Sequence, residues 1–486
     1  MNRWWWRGAR WAGWIFIAYW TLTVSLYLGA RGLFPARPVD LSWPVRLVGF
    51  LVSFGFWLRD PRIRPMARIA GVASIAALSP WAGLCGLVGL GGWMLRQRSL
   101  QGTAVGYRWI PLLPLRLPLP DRFLHMHVVG PTGSGKSSSV LMPLIAQDVK
   151  AGYGLLLLDP KGDLAWSAYH AALAHRRAVI WLNPQANDCP HFNPLAGPAA
   201  AAAEGLNWAL NRISQAGHPY YAVTSRIWLT HSVTVIKHQQ GESADIGTLL
   251  TFLRQDTLQK RWADNTPDPA AQSFFAEVTR AKSPDAHRDR QGLIHRLELL
   301  WANPHLRRLF SVPADFTWDD VLSQSTVVLC PVSLAEFGAS ATVLGTLIWH
   351  SLAQAAYRRA PGLAHPPYFL YIDEFQEFVT PDLGHFLALA RGYRVGMTLA
   401  HQTLGQLTPD IQAAVLANAR QRIWLSGLAV DDYATLSRIV MPHQLPEDFR
   451  YWPQGRAVAH LTVQGRMRPP KTVRLPWMRL ESPPAP

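Results

Sequence analysis

Three observations predict an α/β fold with a mostly parallel sheet, an all-α insertion and an N-terminal α-helical membrane region. From residue 123 onward, short apolar runs alternate with stretches of helical character. One of these runs leads straight into a glycine-rich loop and then a helix, over residues 123–150. The first hundred residues hold two long uncharged apolar segments. Buried strands alternating with helices build parallel sheets covered on both faces, and about 20 uncharged apolar residues suffice for a helix to cross a bilayer.

Composition narrows the class. Hydrophobic residues make up 49% of the 486 and charged residues 16%, below the usual ~25%, which excludes a disordered or fibrous chain. The net charge is +16, of which +10 lies in residues 1–100, with twelve arginines, two aspartates and neither lysine nor glutamate. The other 386 residues carry +6, so much of the basic balance reads as a membrane-topology signal and not as a DNA-binding surface. Cys85, Cys189 and Cys330 form no CxxC pair, which disfavours a disulfide framework or a zinc ribbon. His125 and His127 lie two apart on one expected strand face, a spacing too weak to read as a metal site.

The first element is the membrane region, residues 1–98. Residues 11–30 carry no charge, nor do residues 69–95, and tryptophans 4, 5, 6, 11, 81 and 93 sit at or near the ends of these runs, where indoles favour the bilayer interface. Residues 47–58 are apolar but short for a crossing. Arg3, Arg7 and Arg10 before the first run, and Arg96 and Arg98 after the last, favour a cytoplasmic side for both ends. Two crossings follow most simply, although Arg59, Arg62, Arg64 and Arg68 resist placing residues 31–68 outside. Residues 99–122 hold four prolines without helical period and read as an extended linker.

The body begins at residue 123. The runs FLHMHVV, YGLLLLD, RAVIWL, STVVLCPVS, YFLYID, VGMTLA and RIWLSG read as strands, with helical stretches such as 336–359 and 410–420 between several of them. Residues 195–310 break the rhythm. They are rich in Ala, Leu, Gln and Trp, without clear strands, and read as a helical insertion. The catalytic body is then residues 123–194 and 311–480.

The strongest motif runs Gly130, Pro131, Thr132, Gly133, Ser134, Gly135, Lys136, Ser137 and matches GxxxxGK[ST] in full, with Ser138 next. Glycines let backbone N–H groups wrap phosphates. Lys136 can reach the β- and γ-phosphates and the Ser137 hydroxyl can bind Mg²⁺, while the following helix adds a favourable N-terminal partial charge. ATP and Mg²⁺ are the implied ligands. Two strand-end acids compete as the partner, Asp159 and Asp373. Only Asp373 is followed by a second acid, Glu374, so Asp373 could support Mg²⁺, through water, while Glu374 polarises the attacking water. Gln402 follows the strand 395–400 and could sense the γ-phosphate; Arg391 or Arg394 could reach a neighbouring subunit's nucleotide.

Taken together, GPTGSGKSSSVLMPLI, LLLLDPKGDL, HFNPLAG, LYIDEF, ARGYRVGMTLAHQTLGQL and NARQRIWLSGLAVDDYATLS come in the order found in type IV secretion system coupling proteins. The chain resembles these VirD4-, TraG- and TraD-like conjugation ATPases, RecA-like P-loop motors of the FtsK/HerA class, over roughly residues 120–475. The resemblance implies a multi-pass protein of the bacterial inner membrane with its ATPase body in the cytoplasm, hexameric when active. It implies that relaxase-bound single-stranded DNA is passed to a type IV secretion channel, with the all-α domain selecting substrate. By position it implies phosphate and Mg²⁺ roles for Lys136 and Ser137, a Walker B pair in Asp373 and Glu374, a sensor in Gln402 and a contact in trans from Arg391. Two other readings remain: an ATP-dependent recruiter of protein effectors, and an FtsK-like pump for double-stranded DNA.

Overall fold

The computed structural model describes residues 102–107, 114–212, 219–281, 284–360 and 364–481. The expected membrane segments at 11–30, 47–58 and 69–95 lie outside the described residues. Among the described residues no helix is long and apolar enough to cross a membrane.

Strands β1 (Thr103–Tyr107) and β2 (Pro114–Leu117) and the short helix α1 (Leu119–Arg122) lead to β3 (Met126–Val129). A wide π-type turn over Lys136–Leu141 runs into α2 (Met142–Ala151), then β4 (Gly154–Asp159), α3 (Asp163–Ala174) and β5 (Val179–Trp181). Helices follow: α4 (Ala199–Asn211), α5 (Pro219–Gln240), α6 (Ile246–Arg254), α7 (Asp256–Asp264), α8 (Pro269–Ala281), α9 (Pro284–Trp301), α10 (Pro304–Leu309) and α11 (Trp318–Ser323). The chain returns through β6 (Val327–Pro331), α12 (Leu334–Phe337), α13 (Ala339–Tyr357), β7 (Tyr368–Ile372), α14 (Leu383–Leu389), β8 (Val395–His401), α15 (Pro409–Asn418) and β9 (Gln421–Leu425). It ends with α16 (Val430–Ile439), β10 (Arg456–His460), the small hairpin β11 (Thr462–Val463) and β12 (Arg466–Met467), and β13 (Lys471–Arg474).

The main sheet has the order β2-β1-β13-β10-β9-β3-β8-β7-β4-β6-β5. From β9 to β5 every pairing is parallel, and from β9 outward to β2 every pairing is antiparallel. Strands β4, β7, β8 and β9 are buried along their whole length, as the runs GLLLLD, YFLYI, VGMTLAH and QRIWL require. Alternation sorts their side chains between two cores. Leu155 and Leu157 of β4 pack with α2 and α3, whereas Leu156 and Leu158 pack with α13 and the inserted helices.

Helix α13 is buried on most of its circumference, as expected of a helix apolar all round. It lies between the sheet and α4, and small residues allow the approach. A Cβ on Gly205 of α4 would lie 2.6 Å from the His350 ring, and one on Gly345 would lie 2.3 Å from the Phe378 ring. Asn193, at the start of the segment leading to α4, is buried; its amide donates to the Ala244 carbonyl at 2.9 Å and its Oδ1 accepts from Leu195 N at 2.9 Å. The helical stretch between β5 and β6 runs on to Ser323, beyond the expected end at residue 310.

Two expectations are corrected. The proline-containing stretch 99–122 is not an extended linker where described, because β1 and β2 pair as the antiparallel edge of the main sheet. Pro114 fits because an edge strand need not donate on its open side. Arg122, at the end of α1, is buried. Its guanidinium bonds the Asp148 carboxylate, donates to the Tyr371 hydroxyl at 2.9 Å and lies 3.6 Å from the Phe369 ring centroid. Removing one member of such a buried pair typically costs about 3–5 kcal/mol. The second correction concerns His125 and His127, which do not share a strand face. His125 precedes β3 with φ +57°, accepts from Met397 N on Nδ1 and bonds Leu387 O through Nε2.

Candidate nucleotide-binding site

The phosphate loop leaves the C-terminal end of β3. The order β3-β8-β7 sets β8 between that strand and the one ending at Asp373. Parallel strands present their C-terminal ends on one edge, so Gly130, Gln402 and Asp373 come together there without any proximity in sequence.

Within the loop, backbone geometry explains the glycines. Gly133 and Gly135 have φ of +76° and +92°, which a side chain would strain. A Cβ on Gly130 would lie 2.6 Å from Ser134 Oγ and 2.8 Å from Leu425 Cβ. Gly130 N donates to His401 O at 3.2 Å and Ser134 N to Pro131 O at 3.1 Å, which closes the loop. The Ser134 hydroxyl is buried without a hydrogen-bond partner. These features fit a polyphosphate: an open cradle, a helix N-terminus behind it and a buried hydroxyl without a partner.

The charged groups converge on this cradle. Lys136 Nζ donates to Gly130 O at 2.7 Å and stands 3.8 Å from Glu374 Oε1. Burial pulls its ammonium pKa down, against Glu374 and Asp373, which push it up; Lys161 adds to the lowering. Ser137 Oγ donates to Asp373 Oδ2 at 2.8 Å. Burial raises the Asp373 carboxyl pKa, while the Ser137 hydrogen bond and the lysines oppose the rise. Ser137 and Asp373 therefore offer an oxygen pair of the kind that holds Mg²⁺ beside a phosphate.

Glu374 has a left-handed backbone, φ +47°, a conformation that costs roughly 1–3 kcal/mol for such a residue and persists where the surroundings enforce it. Its Oε1 accepts from Gln402 Nε2 at 3.0 Å and its Oε2 from Gln376 Nε2 at 3.1 Å. Gln402 Oε1 accepts in turn from Thr132 Oγ1 at 2.8 Å. Gln402 thus bridges the phosphate loop and the acid through the intervening strand.

The structure separates the two acidic candidates. Asp159 is fully buried, and both its oxygens are used within its own turn, accepting from Lys161 N at 3.0 Å and Ala165 N at 2.9 Å. Burial, then the neighbouring Asp373, raises its pKa to about 6. Asp159 is a loop-shaping group, and Asp373 is the acid bonded to Ser137.

Arg391 is not brought to this site. It is exposed in a 3-10 turn (Ala390–Tyr393) at the N-terminal end of β8, and the seven residues of β8 put roughly 20 Å of strand between it and Gln402. Arg394 lies at the same end, 5.8 Å from the Phe123 ring. Arg122 is committed to Asp148 and Tyr371.

Some neighbours had no signal in the sequence. Gln454, in the turn before β10, donates to Gly133 O. Beneath the loop, the His127 and His401 rings meet Nε2 to Nε2 at 2.7 Å. His401 Nδ1 lies 3.0 Å from Thr403 O and donates to it, so its Nε2 accepts from His127. Burial pushes both pKa values down, that of His401 to about 4, which keeps the pair neutral near neutral pH.

The family model for type IV secretory system conjugative DNA transfer matches residues 116–414. No curated protein matches the chain. Among solved structures, the bacterial conjugative coupling protein TrwBdeltaN70 is similar with a TM-score of 0.58 at 16% identity, covering 80% of this chain and 92% of that one. The plasmid coupling protein TrwB in complex with ADP and Mg²⁺ gives the same values. VirB4 of Thermoanaerobacter pseudethanolicus gives a TM-score of 0.51 at 13% identity, covering 79% and 97%. At such identities the likeness is one of fold.

Proposed function

The chain belongs to the type IV secretory system conjugative DNA transfer family, and from that premise we propose that it is a membrane-anchored, ATP-hydrolysing coupling protein of the bacterial inner membrane. In this reading it recruits relaxase-bound single-stranded DNA and drives it to a type IV secretion channel. One observation carries the ATP-hydrolysing part of this reading: Lys136, Ser137, Asp373, Glu374 and Gln402 converge at the ends of three adjacent strands. Further support comes from TrwB, a protein of similar fold whose complexes hold ADP with Mg²⁺ and a non-hydrolysable ATP analogue.

The residues divide the work. The loop from Gly130 to Ser138 binds the phosphates, and Lys136 neutralises charge that builds on the γ-phosphate. Ser137 directly, and Asp373 through water, would hold Mg²⁺, which supplies Lewis-acid charge to the phosphate oxygens. Glu374 takes a proton from the attacking water. Gln402, bonded to both Thr132 and Glu374, links that acid to the loop. The anchor is assigned to residues 11–30 and 69–95 on their uncharged apolar length, and substrate selection to the helical domain 195–310.

The test is ATPase activity of the purified full chain with single-stranded DNA, double-stranded DNA or no DNA, at several salt concentrations. Stimulation by single strands that fades with salt is the expected result. Stimulation by duplex alone would point to a pump, and indifference to all DNA to a recruiter of proteins, a reading the +6 of residues 101–486 keeps open.

Assembly supplies a second test. In this reading Arg391, in the turn before β8, acts on a neighbouring subunit's nucleotide, as a ring such as the hexamer of the family requires. Arg391→Ala and Lys136→Ala proteins are each expected to be inactive alone. Mixed, they should recover part of the ATPase, because some interfaces then hold both groups. Silence from a mixture that demonstrably co-assembles would remove Arg391 from this role.

A further inference from the structure

After β13 the chain does not leave the body. Leu475 is buried, and its N–H donates to Gly455 O at 2.8 Å. Met478 N donates to Ser138 O of the phosphate loop at 3.0 Å. Glu481 N donates to Ser167 Oγ at 2.8 Å, and the Glu481 carboxylate lies 3.2 Å from His170 Nδ1. Leu480 packs against the core shared by α2 and α3. Residues 475–481 are thus a strap pinned at four places across the start of α2 and α3.

Trp477 sits in the middle of that strap. Its ring lies against the phosphate loop, so that a Cβ built on Gly135 would meet Trp477 Cζ3 at 2.9 Å and Cη2 at 3.6 Å. Yet 56% of the residue is exposed. The backbone on either side is fixed, so a large apolar ring is held half in water beside a polyphosphate cradle. Sheet order gives the direction. The groups suited to the γ-phosphate, Glu374 and Gln402, come from the β7 and β8 side of the loop strand, and Trp477 comes from the β13 side. No hydrogen bond, ion pair or ring contact joins Trp477 to Asp373, Glu374 or Gln402 among the described residues. Trp477 stands beside Gly135 and Met478 bonds Ser138, so the ring borders the helix-side end of the cradle, while Glu374 and Gln402 meet at its strand side.

We propose that Trp477 is the platform on which the purine base of the bound nucleoside triphosphate stacks. This rests on the nucleotide-binding reading of the loop. An indole face is sequence-tolerant, since every base has a π-face, so the platform favours a nucleotide over bare polyphosphate and accepts adenine and guanine alike.

The experiment measures equilibrium binding of ATP, GTP and inorganic tripolyphosphate to the full chain with Mg²⁺. Wild type is compared with Trp477→Ala, Trp477→Leu and Trp477→Phe, and thermal unfolding confirms that each variant is folded. Loss of a base–aromatic stack is worth about ten-fold or more in affinity. Trp477→Ala and Trp477→Leu should weaken ATP and GTP by that factor and leave tripolyphosphate unchanged, while Trp477→Phe stays within a few-fold of wild type. Unchanged ATP affinity in Trp477→Ala overturns the proposal. A parallel loss of ATP and tripolyphosphate also overturns it, because the strap would then only brace the loop. Wild type that binds neither ATP nor tripolyphosphate would instead sink the nucleotide-site reading, a failure visible before any variant is made.

Discussion

Lys136→Ala is expected to lower ATP hydrolysis by at least ~10²–10³-fold, the scale on which a preorganised charge at a developing anion acts. The ammonium is buried, tied to Gly130 O and 3.8 Å from Glu374, and among the described residues no other cation holds that position: Lys161 is exposed on the neighbouring loop, and Arg391 lies at the far end of β8. The fold should survive, because Glu374 keeps its hydrogen bonds from Gln402 and Gln376. Phosphate release at saturating ATP measures the effect, with thermal unfolding as the control for folding. Normal turnover by a folded Lys136→Ala protein would refute the site.

Glu374→Gln should separate binding from chemistry. The amide keeps the shape of the side chain and can still meet Gln402, but it cannot take a proton from water. Hydrolysis should fall ~10²–10⁴-fold, the usual contribution of a general base, while ATP affinity changes little and an ATP-loaded state accumulates. Single-turnover hydrolysis alongside equilibrium binding reads both quantities. Asp159→Asn is the contrast. Asp159 uses both oxygens on backbone N–H groups of its own turn, so its loss should destabilise the loop without trapping ATP. If Asp159→Asn gave the trapped state and Glu374→Gln turned over normally, the roles of the two acids would be reversed.

The phosphate loop was legible because its chemistry is local. Glycines at positions of positive φ, a lysine and a hydroxyl residue must follow one another at fixed spacing for the backbone to wrap a phosphate, and Gly133 and Gly135 have that backbone here. The acidic pair was legible because Asp373 follows an apolar strand and is itself followed by a second acid, as Asp159 is not. The edge strands β1 and β2 were not legible. Their prolines and short length look like linker, and their pairing depends on β13, more than three hundred residues later. The histidines misled for a similar reason: a two-residue spacing implies a shared face only in regular strand, and His125 lies outside β3 with φ +57°.

By itself, then, the sequence determined an α/β body with a mostly parallel sheet, a phosphate loop at Gly130–Ser137, a strand-end acid pair and a helical stretch between two halves of that body. Each of these is written in local periodicity or spacing, which short-range sterics and burial enforce. Only the tertiary structure decided that β8 lies between β3 and β7, so that Gln402 touches both Thr132 and Glu374. The same holds for the turning of Asp159 into its own loop, the committal of Arg122 to a buried carboxylate and the return of Trp477 to Gly135 from the end of the chain. Those outcomes depend on strand order and on which buried polar group finds which partner. Such choices are made by contacts between residues far apart in sequence, where no local pattern records them.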